Sequence, residues 1–160
     1  MADPLERLDP RAVGYWRVSG LPASVIAGSL LASPVVVLAL AADLDRPVAA
    51  AIGVSAIALY MLLRVGIAPA IWWRVWRYRL TDEQLFIQRG LFVRRQTLIP
   101  LVRVQNVDTA QGPIARRFGL SEVAVSTAAN TMTIPALSDD VAEELRDRIA
   151  DLARIARDEA

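Results

Sequence analysis

The sequence predicts an α+β protein in two parts. An N-terminal transmembrane two-helix hairpin comes first, then an antiparallel β-barrel or sandwich closed by a C-terminal amphipathic helix. Three observations carry this. Two uncharged apolar runs, Val18–Ala42 and Pro47–Leu63, are separated by the four residues Asp43–Arg46. From Arg74 onward the apolar period changes to 2, the period of a half-buried strand. Near the end, Val141, Leu145, Ile149, Leu152 and Ile155 recur at helical spacing.

Composition excludes whole classes of chemistry. The 160 residues contain no cysteine, histidine or lysine. Disulfides, thiol catalysis, the usual zinc sites and a Ser-His-Asp arrangement are therefore impossible, as are Schiff bases and a phosphate-loop lysine. Asp139-Asp140 and Glu143-Glu144 are carboxylate pairs on an expected exposed helix face, with no convergent pocket implied. No enzyme activity, cofactor, metal or small-molecule substrate is expected. Net charge is +1, which gives no reason to expect a nucleic-acid partner.

A membrane span needs about 20 apolar residues. The first run is long enough to cross with some tilt, and its Pro34 predicts a kink that a bilayer tolerates. Too long for a signal-peptide core, it is also followed at once by a second run. That second run is near the lower limit but extends through Val65–Trp73 if Arg64 snorkels toward headgroups. Spans over 18–42 and 47–68 are expected. Arg7, Arg11 and Arg17 precede the first span, and Arg64, Arg74, Arg77 and Arg79 follow the second. The positive-inside rule then places both termini in the cytoplasm and the Asp43–Arg46 turn outside. Tyr15 and Trp16 at the entry, with Trp72, Trp73, Trp76 and Tyr78 at the exit, suggest one interfacial belt. The expected division is a cytoplasmic segment 1–17, a transmembrane hairpin 18–73, and a cytoplasmic domain 74–160 with its helix over 138–157.

Within that domain, Trp76–Leu80 alternates as a strand. Gln84–Gln88 and Phe92–Ile99 form a hairpin around Arg89-Gly90. Val102–Thr109 is a further strand, with Val102 and Val104 on one face, Asn106 a candidate for the same face, and Arg103, Gln105 and Val107 on the other. Pro113–Phe118 fits a short helix with proline at its first position and Gly119 as its stop. Glu122–Ala128 and Thr131–Pro135 make the last hairpin. Ser138 is the expected cap of the final helix, whose first turn holds Asp139 and Asp140.

These residues resemble a known family. The string Ile99-Pro100, Arg103, Gln105-Asn106-Val107, Gln111-Gly112-Pro113, Arg116-Arg117 and Phe118-Gly119 looks like the bacterial pleckstrin-homology-like (PH-like) domain once called the membrane-flanked domain, of the YdbS-like type. The resemblance covers about Trp76 to Ala136, and also the layout, with a two-helix hairpin just before the domain. It implies a PH-like barrel at a bacterial inner membrane and no reaction. Some relatives of this type accompany a larger multi-copy membrane partner.

Two functional readings follow. In the first, the domain is an interaction or scaffold module that binds its own copies or another PH-like membrane protein, with Arg103, Gln105, Asn106, Arg116 and Arg117 as candidate contacts. Small residues in the spans, including Gly28, Ser29, Ala32, Ser33, Ala49 to Ala51, Gly53 and Ala56, allow close helix packing. Asn106 and Gln105 are also candidates for satisfying backbone groups, and Arg116 and Arg117 for pairing with Asp108 or Glu122. In the second reading, the domain senses anionic lipid or membrane stress. Arg74 to Arg117 carries nine arginines against three acids. Each arginine close to an anionic leaflet contributes roughly 1 kcal/mol. Arg74, Arg77, Arg79, Arg94, Arg95, Trp72, Trp73 and Trp76 are the candidate lipid-facing residues.

Overall fold

The computed structural model describes residues 5–42, 45–91 and 93–158. Asp43 and Leu44 of the expected turn, and Phe92 at the expected start of a strand, lie outside them. The chain forms two compact units, one over residues 16–70 and one combining the N-terminal segment with the chain from Ile71 onward.

The first unit is helical. Helix α1 spans Ala12–Ala41 and runs through Pro22 and Pro34. Helix α2 spans Arg46–Met61, with Pro47 in its first turn. A π-helical turn, Leu62–Ile67, leads into α3, Ala68–Val75. The widened turn coincides with an outside partner: Arg17 donates from Nη2 to the Gly66 carbonyl at 3.0 Å. Ala32 and Ala49 are buried. A Cβ on Gly28 would stand 3.2 Å from the Tyr60 ring, and one on Gly53 would collide with Val36. The small residues therefore sit where the two helices meet, as close packing requires. Only 22% and 11% of the most apolar stretches of the two long helical segments are buried. That is the reverse of core helices in a water-soluble bundle. The exposed residues include Leu30 and Leu38, at 69% and 72%.

The second unit holds two three-stranded antiparallel sheets. The first joins β1 (Arg77–Leu80), β2 (Gln84–Arg89) and β3 (Arg95–Pro100). In the second are β4 (Val104–Ala110), β5 (Leu120–Thr127) and β6 (Thr131–Ser138). Helix α4 (Pro113–Phe118) connects β4 to β5, and α5 (Asp139–Asp158) ends the domain. Leu85, Ile87, Leu101, Val123, Val125, Ile134 and Ile149 are among the fully buried side chains.

The expected closed barrel is not formed. After β3 the chain makes a 3-10 turn, Leu101–Arg103, that sinks Leu101 completely and starts a separate sheet. Outer strands β1 and β6 do not pair with each other. A short N-terminal strap ties them instead. Glu6 and Tyr78 exchange backbone hydrogen bonds at 2.8 and 3.2 Å, and the Asp9 N–H donates to the Ala136 carbonyl at 3.2 Å. Leu8 and Ala12 are buried beneath this crossing, at 1% and 0% exposure. Residues 5–15 therefore belong to the domain and do not stand apart as an independent segment. Ala136 presents its carbonyl from a left-handed conformation, φ 52°.

Two further expectations shift. A bulge at Val104–Asn106 breaks strict alternation, so Gln105 and Asn106 are both exposed, and Val102 is exposed rather than paired in direction with buried Val104. In α5 the buried stripe is Ala142, Leu145, Ile149 and Ala153. Val141 and Ile155 are 39% and 48% exposed. Alanines seat the helix because they let its backbone come close to the sheet. Ser138 ends β6 and makes no side-chain hydrogen bond among the described residues. The Asp139 carboxylate holds the helix start instead, accepting from Gln111 and Ser121 at 2.7 Å each.

Candidate functional site: an open-edged domain with a basic side

The signature string builds a corner before it builds a surface. Proline and glycine bound α4 as their chemistry demands. Gly119 adopts φ 62°, ψ 42°, a left-handed stop at which its N–H reaches the Arg116 carbonyl. Arg11 donates to the Phe118 carbonyl at 3.2 Å, adding a second stop to the same helix end. Tyr15 meets the Phe118 ring edge-on, with centroids 6.3 Å apart. Gln111 donates to the Leu120 carbonyl and to Asp139, which links the end of β4 to α5. Gln111, Phe118 and Gly119 are thus accounted for by folding, whereas Gly112 has an extended backbone, φ −75°, and open space around it, so the turn expected there does not require glycine.

The five candidate interaction residues separate into three places. Arg103 and Gln105 border a groove of about 710 Å³, along with Leu98, Val102, Asn130 and Arg157. Asn106 lies on exposed β4, where its amide donates to Asp108 at 2.7 Å. Arg116 and Arg117 are exposed on α4 and form no ion pair among the described residues, so the expected pairing with Asp108 or Glu122 is absent there. The groove follows a natural gap. Among the described residues β3 pairs only with β2, and β4 only with β5, so each presents an unpaired edge. Leu98 and Val102, 51% and 42% exposed, put apolar surface beside those edges.

The candidate lipid-facing residues also divide. Trp76 is 4% exposed and belongs to the core. Trp73 is half-buried and donates from Nε1 to the Leu8 carbonyl at 2.9 Å. Arg77 folds back onto the Trp73 and Trp76 carbonyls at the end of α3. Burial, then the nearby charge of Arg7, pulls its pKa below the usual range. Arg79 is half-buried, with its Nε inside and unpartnered. It borders a cleft of about 430 Å³ containing Glu6, Glu144 and Arg148, an internally balanced set of charges. Trp72, Arg74, Arg94 and Arg95 remain exposed. Of the six aromatics of the expected belt, Trp76 and Tyr78 are buried in the domain, Tyr15, Trp16 and Trp73 are half-buried, and Trp72 is exposed.

Sequence reasoning missed two sets of residues. The strap residues Leu8 and Ala12 sit in a run, LERLDPRA, that reads as a polar tail; the one available signal is their i, i+4 spacing. Val93 falls in the expected strand Phe92–Ile99 and Leu91 just before it, but β3 begins at Arg95, and both side chains stand exposed at 53% and 72%. No cluster of metal-ligating side chains occurs among the described residues.

Helices of bilayer length joined to a two-sheet domain with a C-terminal helix define a transmembrane protein with a PH-like domain. The chain belongs to the bacterial PH-domain family: the pattern described as Bacterial PH domain matches residues 23–153. The transmembrane protein YdbS of Bacillus subtilis (strain 168) is 34% identical over 156 residues, covering 98% of this chain and 97% of that protein. A second relative, the transmembrane protein YdbT of the same organism, is 31% identical over 82 residues, which are 51% of this chain and 17% of YdbT. No solved structure matches the chain significantly.

Proposed function

We propose that the chain is a non-enzymatic, multi-pass protein of the bacterial inner membrane. Its domain faces the cytoplasm and docks a second PH-like domain, in another copy or in another membrane protein, through the groove at the β3 and β4 edges. The observation that carries this is the pair of unpaired sheet edges beside exposed Leu98 and Val102. An exposed edge with apolar neighbours is a template for added strands unless something covers it. Arg103 and Gln105 at the same groove supply polar groups that fix register. The local likeness to a segment of YdbT supports a partner of this class.

Cytoplasmic placement rests on the arginine asymmetry. The strap agrees with a two-span layout, since residues 5–15 pack with the chain beyond Ile71, but it favours neither face of the bilayer. The test is the mass of the detergent-extracted full chain, measured by light scattering alone and after co-expression with a PH-like membrane relative. A defined complex that Leu98→Glu with Val102→Glu dissociates is the expected result. A monomer under both conditions sinks the reading. The alternative, a domain that reads anionic headgroups, draws on the exposed Arg94 and Arg95.

A further inference from the structure

We propose that the cleft between α3 and the β2–β3 hairpin tip is a binding site for one anionic phospholipid of the membrane interface. The cleft encloses about 440 Å³. Its apolar walls include Trp72 and Val75 on the helix side, and Leu91 and Val93 on the tip. Arg89 and Arg95 supply its charge, and among the described residues no acidic side chain lines it. Apolar walls with two guanidinium groups match a lipid whose phosphate is anionic and whose chains are not. Guanidinium groups suit phosphate oxygens through paired N–H donors, and an indole suits the boundary between chain and headgroup.

Backbone pairing and one glycine set the base of the tip. Arg89 and Arg95 are partners across the last rung of β2 and β3. Gly90 has φ +112°, and any Cβ there would run into the Val93 carbonyl oxygen. The Arg89 guanidinium lies 5.9 Å from the centroid of the Trp76 ring, close enough for a cation–π contact with a core residue. Such a turn can lift Leu91 and Val93 clear of the domain without collapsing onto it.

Chain connectivity supplies the occupant. Trp72 is two residues beyond Ala70, the last residue of the apolar helical unit. At about 1.5 Å per helical residue, it stands within a few ångströms of that unit's end. The surrounding medium is then the headgroup region, where apolar side chains at 53% and 72% exposure are favoured rather than costly. This site shares no lining residue with the groove at the β3 and β4 edges, so either can fail without the other.

The experiment uses the full chain, whose lack of cysteine makes single-site labelling clean. Leu91→Cys and, as control, exposed Asp151→Cys carry an environment-sensitive fluorophore in vesicles of phosphatidylcholine with and without phosphatidylglycerol. Lipids bearing a nitroxide near the headgroup are expected to quench the probe at position 91 and not at 151, more so with phosphatidylglycerol. Native mass spectrometry then compares retention of phosphatidylglycerol. Arg95→Gln, which leaves the Arg89–Trp76 contact alone, should lower it about 5-fold, and Arg89→Gln with Arg95→Gln roughly 30-fold. A probe at 91 no more quenched than at 151 overturns the proposal. So does retention unchanged in both variants, or equal retention of phosphatidylcholine.

Discussion

Leu8→Ala tests whether the strap is structural. Leu8 is 1% exposed, and its carbonyl accepts from Trp73 Nε1 at 2.9 Å. The substitution leaves that backbone bond available and removes only the buried part of the side chain. Truncating a buried leucine to alanine costs about 2–5 kcal/mol, through lost transfer energy and the cavity left behind. A value near 3 kcal/mol is reasonable for a site enclosed this fully. For a domain of roughly 100 residues, each kcal/mol moves the melting temperature by about 4–8 °C. The expected fall is therefore roughly 12–24 °C. Tryptophan fluorescence of the detergent-solubilised chain is the assay, since Trp73 and Trp76 both sit where the strap meets the domain. Arg7→Ala on the same segment is the control. Arg7 is exposed, and its loss should stay within about 0.5 kcal/mol. A fall of under 2 °C for Leu8→Ala would refute the view that residues 5–15 complete the fold.

Gly119→Val should destabilise the domain by at least about 1–2 kcal/mol, because a β-branched residue resists the φ of 62° that ends α4; an unmoved thermal midpoint would mean the helix can stop another way. Ala136→Gly should do the opposite and raise the midpoint, since the left-handed conformation at φ 52° strains alanine and suits glycine; a lower midpoint would show that the lost methyl contact outweighs the relieved strain. Tyr78 has its hydroxyl pKa raised by burial first, then by the carboxylates of Glu6 and Glu144. Because the folded value lies above the unfolded one, near 10, its contribution is complete below about pH 10 and is lost as the pH climbs toward the folded value. Tyr78→Phe should flatten the alkaline decline of the melting temperature, and an identical decline in the variant would assign it to another group.

Features fixed by local chemistry were legible in the sequence. A bilayer-length apolar run needs only composition to be recognised, and both long helices are where the runs lie. Proline at the first position of α4 and glycine after its last describe a helix whose two ends are set by backbone stereochemistry, and its range matches the expectation residue for residue. Features set at a distance were not legible. The 3-10 turn and the bulge at Val104–Asn106 move exposed and buried faces by one position, and no residue type announces them. In α5 a hydrophobicity scale selects the largest side chains, whereas close approach to the sheet selects Ala142 and Ala153. Arg77 shows the same limit at the site. An arginine beside tryptophans reads as a lipid contact, but its guanidinium donates to the Trp73 and Trp76 carbonyls at the end of α3. Arg103 and Gln105 could be singled out, while the groove beside them depends on two sheets remaining unclosed.

The strap also changes how the domain must be handled and how it comes to fold. Its two backbone bridges join strands at opposite ends of the domain sequence, β1 and β6, and the strap itself is separated from β1 by the entire helical segment. A fragment starting at Arg74 would keep all six strands yet lose Leu8, Ala12 and the cover over the β1 edge. The surface that Leu8 and Ala12 cover would open to water, and vesicle binding by such a fragment would report that exposure as well as the native surface. In the intact chain the loop between strap and β1 is long, so its closure carries an entropy cost that grows with length. Forming the helical hairpin first brings the two ends near each other and removes much of that cost.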